Sequence, residues 1–451
     1  MSLADSIPGI KRAGILKRIE AWPKMLTEKF VGFAVRKKLD QYLRFDPHTA
    51  GELPLVKDKK KNLMMYVHIP FCEELCPYCS FHRVTFCEEL ARAYFSALKK
   101  EIFMYKERGY NFEALYIGGG TPTVLMAELV EIIELIKSCF DVQEISVETN
   151  PDHLDMSRIR ALRDIGVGRL SVGVQSFNDE ILKATDRYYK YGSGSEVMEK
   201  IAELQGYFPT FNVDMIFNFP VQTAETLKRD LEIIRALKVD QVTYYPLMVA
   251  TSTRKNVEKK LGRVDDERGR PFYELITEAL SEDYQPSTAW CFNRKNPTWL
   301  QTAKFNDTGI IDEYVINYDQ YAGIGSGALG YLEGSIYANT FNIPEYIQRV
   351  ERGEFPIIAR RDLSLRERLL YDFLMRFFGL SLDLEQMSKK HGVNAAAYLL
   401  PEILFFTMVG GIKQSEEKTL LKTKDQYYWV IMMREFFTAV NNFRDYCRSM
   451  T

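Results

Sequence analysis

From residue 63 to about residue 330 the chain alternates short apolar runs with longer segments of helical spacing. The runs 63–69, 113–118, 144–148, 169–174, 211–217 and 240–246 have strand length, and stretches such as Glu88 to Glu107 and Ala127 to Phe140 between them carry apolar residues at helical intervals. Strand then helix, repeated, predicts a parallel sheet, because parallel neighbours need a crossover and a helix supplies it. The expected fold class is α/β, a partial (β/α) barrel with parallel strands, whose ligand-binding residues sit at the strand C-termini.

Both flanks break this pattern. Beyond Gly330 few strands are expected; a helix is predicted from Leu363 to Phe378 and another from Thr423 to about Arg448, rich in Tyr427, Tyr428, Trp429, Phe436 and Phe437. Residues 345–451 are read as a small, mainly helical C-terminal domain covering the mouth of a barrel at 61–335. Within it, the block Tyr398 to Gly411 is apolar but interrupted by Pro and Gly, and serves either as core or as a greasy substrate wall. Residues 1–60 are expected to form a basic helical extension, broken at Pro23 and closed by the polar run Lys57 to Asn62.

Charge separates that extension from the rest. The 451 residues carry a net charge of only −2, yet residues 1–45 hold ten Lys/Arg against four Asp/Glu, interleaved with Ile19, Trp22, Met25, Leu26, Phe30 and Phe33. Such a segment lies on an anionic membrane surface, or it packs on the catalytic domain and turns a basic face to water; the sequence leaves both open. Nucleic acid is not expected as a partner, since no aromatic and Gly-rich binding motif accompanies the charge. With 46% hydrophobic residues and no apolar run of membrane-spanning length, the expectation is a cytoplasmic protein with peripheral contact at the inner membrane face.

Seven cysteines, unevenly spread, do not make a secreted disulfide framework. Cys87, Cys139, Cys291 and Cys447 read as incidental thiols. Cys72, Cys76 and Cys79 are different: a predicted strand delivers Pro70 and Phe71 into a C-x3-C-x2-C loop. Three thiolates hold an iron-sulfur cluster one ligand short of the usual four, leaving an iron open to a small molecule. The competing reading is a zinc knuckle, for which His82 is the nearest fourth ligand. Further polar positions close successive predicted strands: Gly118-Gly119-Gly120-Thr121 after the second, Glu148 at the third, Gln175 at the fourth and Asp214 in the fifth. Glycines at a strand end let free backbone N–H and C=O groups approach a ligand, and a carboxylate such as Glu148 accepts from ribose hydroxyls.

Taken in order, Tyr66-Val-His-Ile-Pro-Phe-Cys72, Gly118 to Thr123, Val147-Glu-Thr-Asn-Pro151, Leu170 to Phe177, Asp214 to Pro220 and Gly323 to Gly330 resemble the radical SAM superfamily, in its oxygen-independent coproporphyrinogen III oxidase-like family. The resemblance implies a [4Fe-4S] cluster on Cys72, Cys76 and Cys79, and two molecules of S-adenosylmethionine (SAM). It places Tyr66, Glu148 and Leu329 around the first, and Tyr78, Gly119, Gly120, Thr121, Gln175, Arg187, Asp214 and Ala250 around the second. It also implies oxygen sensitivity and a reduced flavodoxin or ferredoxin as electron donor. Two departures bear on activity. The oxidases carry a further cysteine where this chain has Phe81, and the related heme chaperones place a His where it has Leu329.

Two SAM molecules and one cluster are what the class C methyltransferases of this family look like. One SAM yields a 5'-deoxyadenosyl radical, which takes hydrogen from the methyl group of the other; the resulting methylene radical adds to an sp2 carbon, and loss of S-adenosylhomocysteine leaves the new methyl group. With the basic N-terminus and aromatic C-terminus, the expected acceptor is a lipophilic quinone, the best match being methylation at C8 of menaquinone. The alternatives are a tetrapyrrole-directed radical SAM enzyme, either a coproporphyrinogen III dehydrogenase or a heme-degrading methyltransferase, and a non-catalytic heme chaperone. Tyr244, Tyr245 and Glu148 are candidates for handling the final proton.

Overall fold

The strand runs pair into one sheet because almost every residue in them is buried on both faces. In the computed structural model, which describes residues 24–42, 52–54, 63–296, 317–417 and 419–450, β1 (Leu63–Ile69), β2 (Ala114–Gly119), β3 (Glu144–Thr149), β4 (Arg169–Gln175), β5 (Thr210–Phe217) and β6 (Gln241–Pro246) neighbour one another in chain order. They are followed by β7 (Tyr284–Pro286), β8 (Cys291–Arg294), β9 (Gln320–Ile324), β10 (Leu329–Leu332), β11 (Ser335–Asn339) and β12 (Ile357–Asp362). The 12-stranded order is β12-β11-β10-β9-β1-β2-β3-β4-β5-β6-β8-β7. From β9 through β6 every pairing is parallel, and both flanks are antiparallel. Strands β12 and β7 end the sheet, so the barrel is partial.

The six strands expected from sequence are present to within a residue or so at each end. The expectation of few strands beyond residue 330 is corrected: β10, β11 and β12 extend the sheet there, and β13 (Ser381–Asp383), β14 (Ile412–Gln414) and β15 (Leu420–Thr423) form a separate three-stranded sheet. These strands hide in the sequence because they are short, and because Gly323, Gly325, Gly327 and Gly330 punctuate the first turns of the region like a loop.

Helices cover the sheet: α1 (Lys24–Tyr42), α2 (Glu88–Glu107), α3 (Met126–Cys139), and in the C-terminal region α4 (Leu365–Phe378), α5 (Leu400–Met408) and α6 (Tyr427–Met450). Ser364 and Glu367 make a capping box that starts α4 two residues later than its apolar period suggests. Thr423 pairs in β15 with Ile412, which is why α6 begins at Tyr427. α1 packs on α6, with Thr27 Oγ1 3.0 Å from Tyr428 Oη and Arg36 paired to Glu435 at 2.8 Å. Lys57 to Asn62 and the extension before Lys24 lie outside the described residues. In the apolar block 398–411, Ile403 and Phe406 are core, whereas Leu404 faces outward.

Candidate active site

The cysteine loop is pinned at both ends by the strand that feeds it. Phe71 and Cys72 pair parallel with Val84 and Thr85; Val84 N–H donates to Pro70 O at 2.7 Å and Phe86 N–H to Cys72 O at 2.8 Å. Cys72 is buried and Cys76 and Cys79 are half-buried, all as free thiols. Arg83 donates from one terminal nitrogen to the carbonyls of Cys76 and Cys79, each at 2.6 Å, and so holds the turn that carries two of the sulfurs. Burial pushes the Cys72 thiol up to about 11, so metal binding here must displace protons.

His82 does not complete a zinc site. Its ring is buried, stacked on His68 at 5.6 Å and edge-on to Phe341, with Nε2 3.2 Å from Ser326 Oγ. The donor set on the loop is three thiols and no imidazole, which fits a [4Fe-4S] cluster with one open iron. A small apolar cluster of Tyr78, Phe219 and Val249 packs against Cys76 and Cys79 and shields them.

The glycine run is dictated by crowding. A Cβ on Gly118 would stand 2.8 Å from the Glu148 carboxylate, on Gly119 2.8 Å from the His68 ring, and on Gly120 2.6 Å from Phe71 O; Gly119 also has φ of +121°. The expectation of free N–H groups is corrected. Gly119 N–H donates to Glu148 Oε2 at 3.2 Å, Gly120 N–H to Ile69 O and Thr121 N–H to Phe71 O, both at 2.7 Å. These donors tie the end of β2 to β3, to β1 and, through Thr121, to the cysteine loop at Phe71, and Thr121 Oγ1 lies 3.8 Å from Cys72 Sγ. What the run can offer a ligand is carbonyl oxygen, which suits an ammonium group.

Glu148 lies between this run and the barrel interior. Burial, reinforced by Asp214, pushes its carboxyl up to about 7, although Tyr116 Oη donates to Oε1 at 2.7 Å. Tyr66 stands beside it, its Oη 2.9 Å from His68 Nδ1, and burial next to Glu148 raises its phenol. Leu329 joins this group from two strands away, since β10 lies against β9 and Tyr66 is level with Gly323 of β9. Asp214 accepts from Ser171 Oγ at 2.7 Å and Asn212 Nδ2 at 2.8 Å, part of a polar row across β4, β5 and β6.

Arg187 forms the other wall. It caps the short helix Tyr188–Tyr191 and is buried, with Nη1 3.5 Å from Cys76 Sγ and 3.4 Å from Tyr78 Oη. Nη2 donates to Gly173 O, the guanidinium lies 4.2 Å from the centre of the Tyr191 ring, and Nε has no hydrogen-bond partner. No carboxylate pairs with Arg187 among the described residues. Gln175, in the left-handed region at φ 75°, ends β4 beside Gly173. Ala250 is fully buried at the N-cap of helix Thr251–Leu261 and offers the site only backbone.

Tyr244 is not part of this site. It is fully buried on the opposite side of β6 from Thr243, near Asp230 of the outer helical layer. Sequence reasoning also missed contributors. Arg83, four residues past Cys79, could have been suspected from its place in the motif. Asn441 of α6, which donates to Ser80 Oγ at 2.7 Å, and Arg444, 5.2 Å from the Phe81 ring centre, carry no local signal; they bring the C-terminal helix onto the cysteine loop.

Residues 66–234 match the radical SAM superfamily. The heme chaperone HemW of Lactococcus lactis is 30% identical over 293 residues, covering 63% of this chain and 73% of the relative. The oxygen-independent coproporphyrinogen III oxidase of Paracoccus denitrificans is 31% identical over 357 residues, covering 74% of this chain and 76% of the relative. This chain belongs to that radical SAM family. The same fold is found in coproporphyrinogen III oxidase from Escherichia coli, with a TM-score of 0.66 at 21% identity, covering 88% of this chain and 92% of the other. Membership makes the [4Fe-4S] cluster and SAM the cofactors of this radical SAM enzyme, in agreement with the three-thiol loop. The relatives' names concern heme and porphyrin, and so favour the tetrapyrrole alternative over quinone methylation.

Proposed function

We propose that this radical SAM enzyme uses two SAM molecules to methylate an sp2 carbon of a flat conjugated ring, with a tetrapyrrole as the first reading of that ring. The relatives' names support the tetrapyrrole. Phe81 and Leu329, standing where the oxidases and the chaperones carry Cys and His, weigh against plain oxidation and against heme delivery. The observation that carries the two-SAM reading is Arg187: a buried cation beside a cluster thiol, with an unsatisfied Nε and, among the described residues, no carboxylate partner. A buried charge left unbalanced is costly, and an incoming SAM carboxylate supplies the balance.

In this reading Cys72, Cys76 and Cys79 would hold the cluster, which would supply the electron for SAM cleavage, with flavodoxin or ferredoxin as the donor. Tyr66, Glu148 and Leu329 face the first SAM. Carbonyls of Gly119 and Gly120 would accept from the ammonium of the second and Arg187 would hold its carboxylate, with Tyr78, Thr121, Gln175, Asp214 and Ala250 completing its surroundings. Glu148, whose carboxyl burial pushes up to about 7, would accept from ribose hydroxyls. The test is anaerobic turnover with SAM and either heme or coproporphyrinogen, followed by mass spectrometry of the tetrapyrrole. A methylated product is expected; deoxyadenosine without any altered tetrapyrrole overturns the first reading.

One observation favours a second reading, a naphthoquinone with a lipid tail as acceptor. A cavity of about 430 Å³ with an apolar lining lies between α1 and the C-terminal helices. The same assay with menaquinone decides it, the expected product being the quinone one methyl heavier. No helix among the described residues is long and apolar enough to cross a membrane.

A further inference from the structure

The 430 Å³ cavity lies within the size range of ligand pockets. Its walls are Val31 and Ala34 of α1, Leu374 of α4, Phe405 of α5, and Met432 and Phe436 of α6. The charged groups at its edge are engaged with one another or with neighbours: Lys38 lies 3.9 Å from Glu402, Glu402 also pairs with Arg366, and Glu367 pairs with Arg361. A peptide segment entering it would bring amide groups that the walls cannot satisfy, at the cost of desolvating them. Hydrocarbon is the chemistry that fits.

The two ends of the cavity differ. At the outer end Phe30 lines it while remaining 52% exposed, with Phe33 at 64% and Leu26 at 49% on the same side of α1 and Leu404 at 37% on the adjacent α5. The ring of Phe30 sits 5.8 Å from that of Phe405, joining the two helices at the entrance. Met25, Leu26, Phe30 and Phe33 thus form an apolar stripe open to solvent, while Thr27 and Val31 are the side of α1 buried against the protein. At the inner end Tyr371 hydrogen-bonds Tyr321 of β9, the strand beside Tyr66. Phe436 leads through Phe437 and Trp290 to Tyr245 at the end of β6, each step a ring contact of 5.3 to 5.8 Å. One end therefore opens on an exposed apolar stripe, and the other abuts the aromatic layer behind the strand C-termini.

We propose that this cavity seats the aliphatic tail of the enzyme's substrate, an isoprenoid or similar chain that enters over the exposed face of α1 while the ring it carries reaches the barrel. This deepens the second reading above and rests on it for the identity of the ring, but the binding of the chain is measured without turnover, so the two fail separately. The probe is farnesol, titrated calorimetrically into the cluster-loaded full chain, with dioleoylphosphatidylglycerol vesicles as the competing source of aliphatic chain. Farnesol is expected to bind, Ala34→Trp to weaken it about tenfold or more by filling the cavity, and Phe405→Ala to change affinity without loss of fold. SAM cleavage should be unchanged in both variants, since neither residue touches the cysteine loop. Absence of farnesol binding, equal binding by wild type and both variants, or displacement of farnesol by vesicles at equal chain concentration overturns the proposal, the last by assigning the cavity to a bilayer lipid.

Discussion

Replacing Arg187 separates the two SAM roles more sharply than any other single change. In Arg187→Lys the positive charge stays, but one ammonium replaces a fork that now spans Gly173 O and the neighbourhood of Cys76 Sγ and Tyr78 Oη. A lysine cannot serve the Gly173 carbonyl and grip a carboxylate through two parallel N–H donors at once. A hydrogen bond to a charged group contributes about 1.5–3 kcal/mol, so losing one weakens the second SAM by roughly 10- to 100-fold. Arg187→Met removes the whole interaction, including the contact with the Tyr191 ring at 4.2 Å, worth about 0.5–2 kcal/mol. Relief of a desolvated charge offsets much of that, and folding stability should move by no more than about 2 kcal/mol. The assay follows 5'-deoxyadenosine and S-adenosylhomocysteine together as SAM is raised. Deoxyadenosine should persist in both variants; homocysteine product should fall about tenfold or more in Arg187→Lys, recovering at high SAM, and vanish in Arg187→Met. If both products fall in parallel, Arg187 holds the cysteine loop rather than a second SAM. If Arg187→Met stays coupled, the two-SAM reading is wrong.

Other consequences are equally direct. Cys72→Ala, Cys76→Ala or Cys79→Ala should each abolish the reduced-cluster electron paramagnetic resonance signal and all SAM cleavage. Gly120→Ala places a carbon 2.6 Å from Phe71 O, so iron content per chain should drop sharply even where the protein folds. Glu101 of α2 is fully buried and accepts from Tyr346 Oη at 2.7 Å and Gly325 N–H at 2.9 Å; Glu101→Leu strands those donors and should cost about 2–4 kcal/mol of stability, Glu101→Gln less, as read by denaturant unfolding. Burial pushes the carboxyls of Glu101 and Asp230 up to about 7. The folded state therefore holds protons that the unfolded chain has released above about pH 4–4.5. Stability from these groups is full below that range and lost as pH rises to about 7, by about 3–4 kcal/mol each at most. Melting temperature should fall from about pH 5 to 8, and Asp230→Asn with Glu101→Gln should flatten the slope.

Six of the parallel strands could be read directly because a doubly covered parallel strand is an apolar run, as Leu63 to Ile69 is. β9 to β12 could not, because their pairing rests on close approach rather than on side-chain pattern. Gly323 faces Leu329 O and Gly330 faces the Tyr337 ring, each so near that a Cβ would stand 2.2 Å and 2.1 Å away. A glycine of this kind looks like a loop residue in one dimension. The site divides the same way. Cysteines, glycines and Glu148 announce themselves by type and spacing, whereas the Tyr116 hydroxyl on Glu148 and the α6 contacts with Ser80 and Phe81 depend on partners tens to hundreds of residues away. The expectation of an amphipathic α1 is corrected: the helix is basic, but its apolar residues are spread around it rather than gathered on one face, so the pattern did not say which face was committed. Packing on α6 answers that: Thr27 and Val31 go inward, Leu26, Phe30 and Phe33 outward.

Helix α6 links the chemistry to the cavity by a distance that can be worked out. Met432 and Phe436 line the cavity, and Asn441 bonds the cysteine loop at Ser80. Five residues separate Phe436 from Asn441, and at about 1.5 Å of rise per residue that is about 8 Å along one continuous helix. Five residues also turn about 140°, so Phe436 and Asn441 leave different sides of α6, and a ring held beneath Ser80 and Phe81 needs a tail that passes round the helix as well as along it before it meets Phe436 and enters hydrocarbon. A tetrapyrrole without an aliphatic tail carries no group that calls for this cavity. Acceptor chemistry and tail binding are thus coupled through one rigid element. A chain-shortening series on a quinone ring should show affinity falling with each isoprene unit removed from the tail until the tail no longer reaches past Phe436, and staying flat thereafter. If affinity is independent of tail length from the outset, α6 does not align ring and cavity, and the tetrapyrrole reading gains.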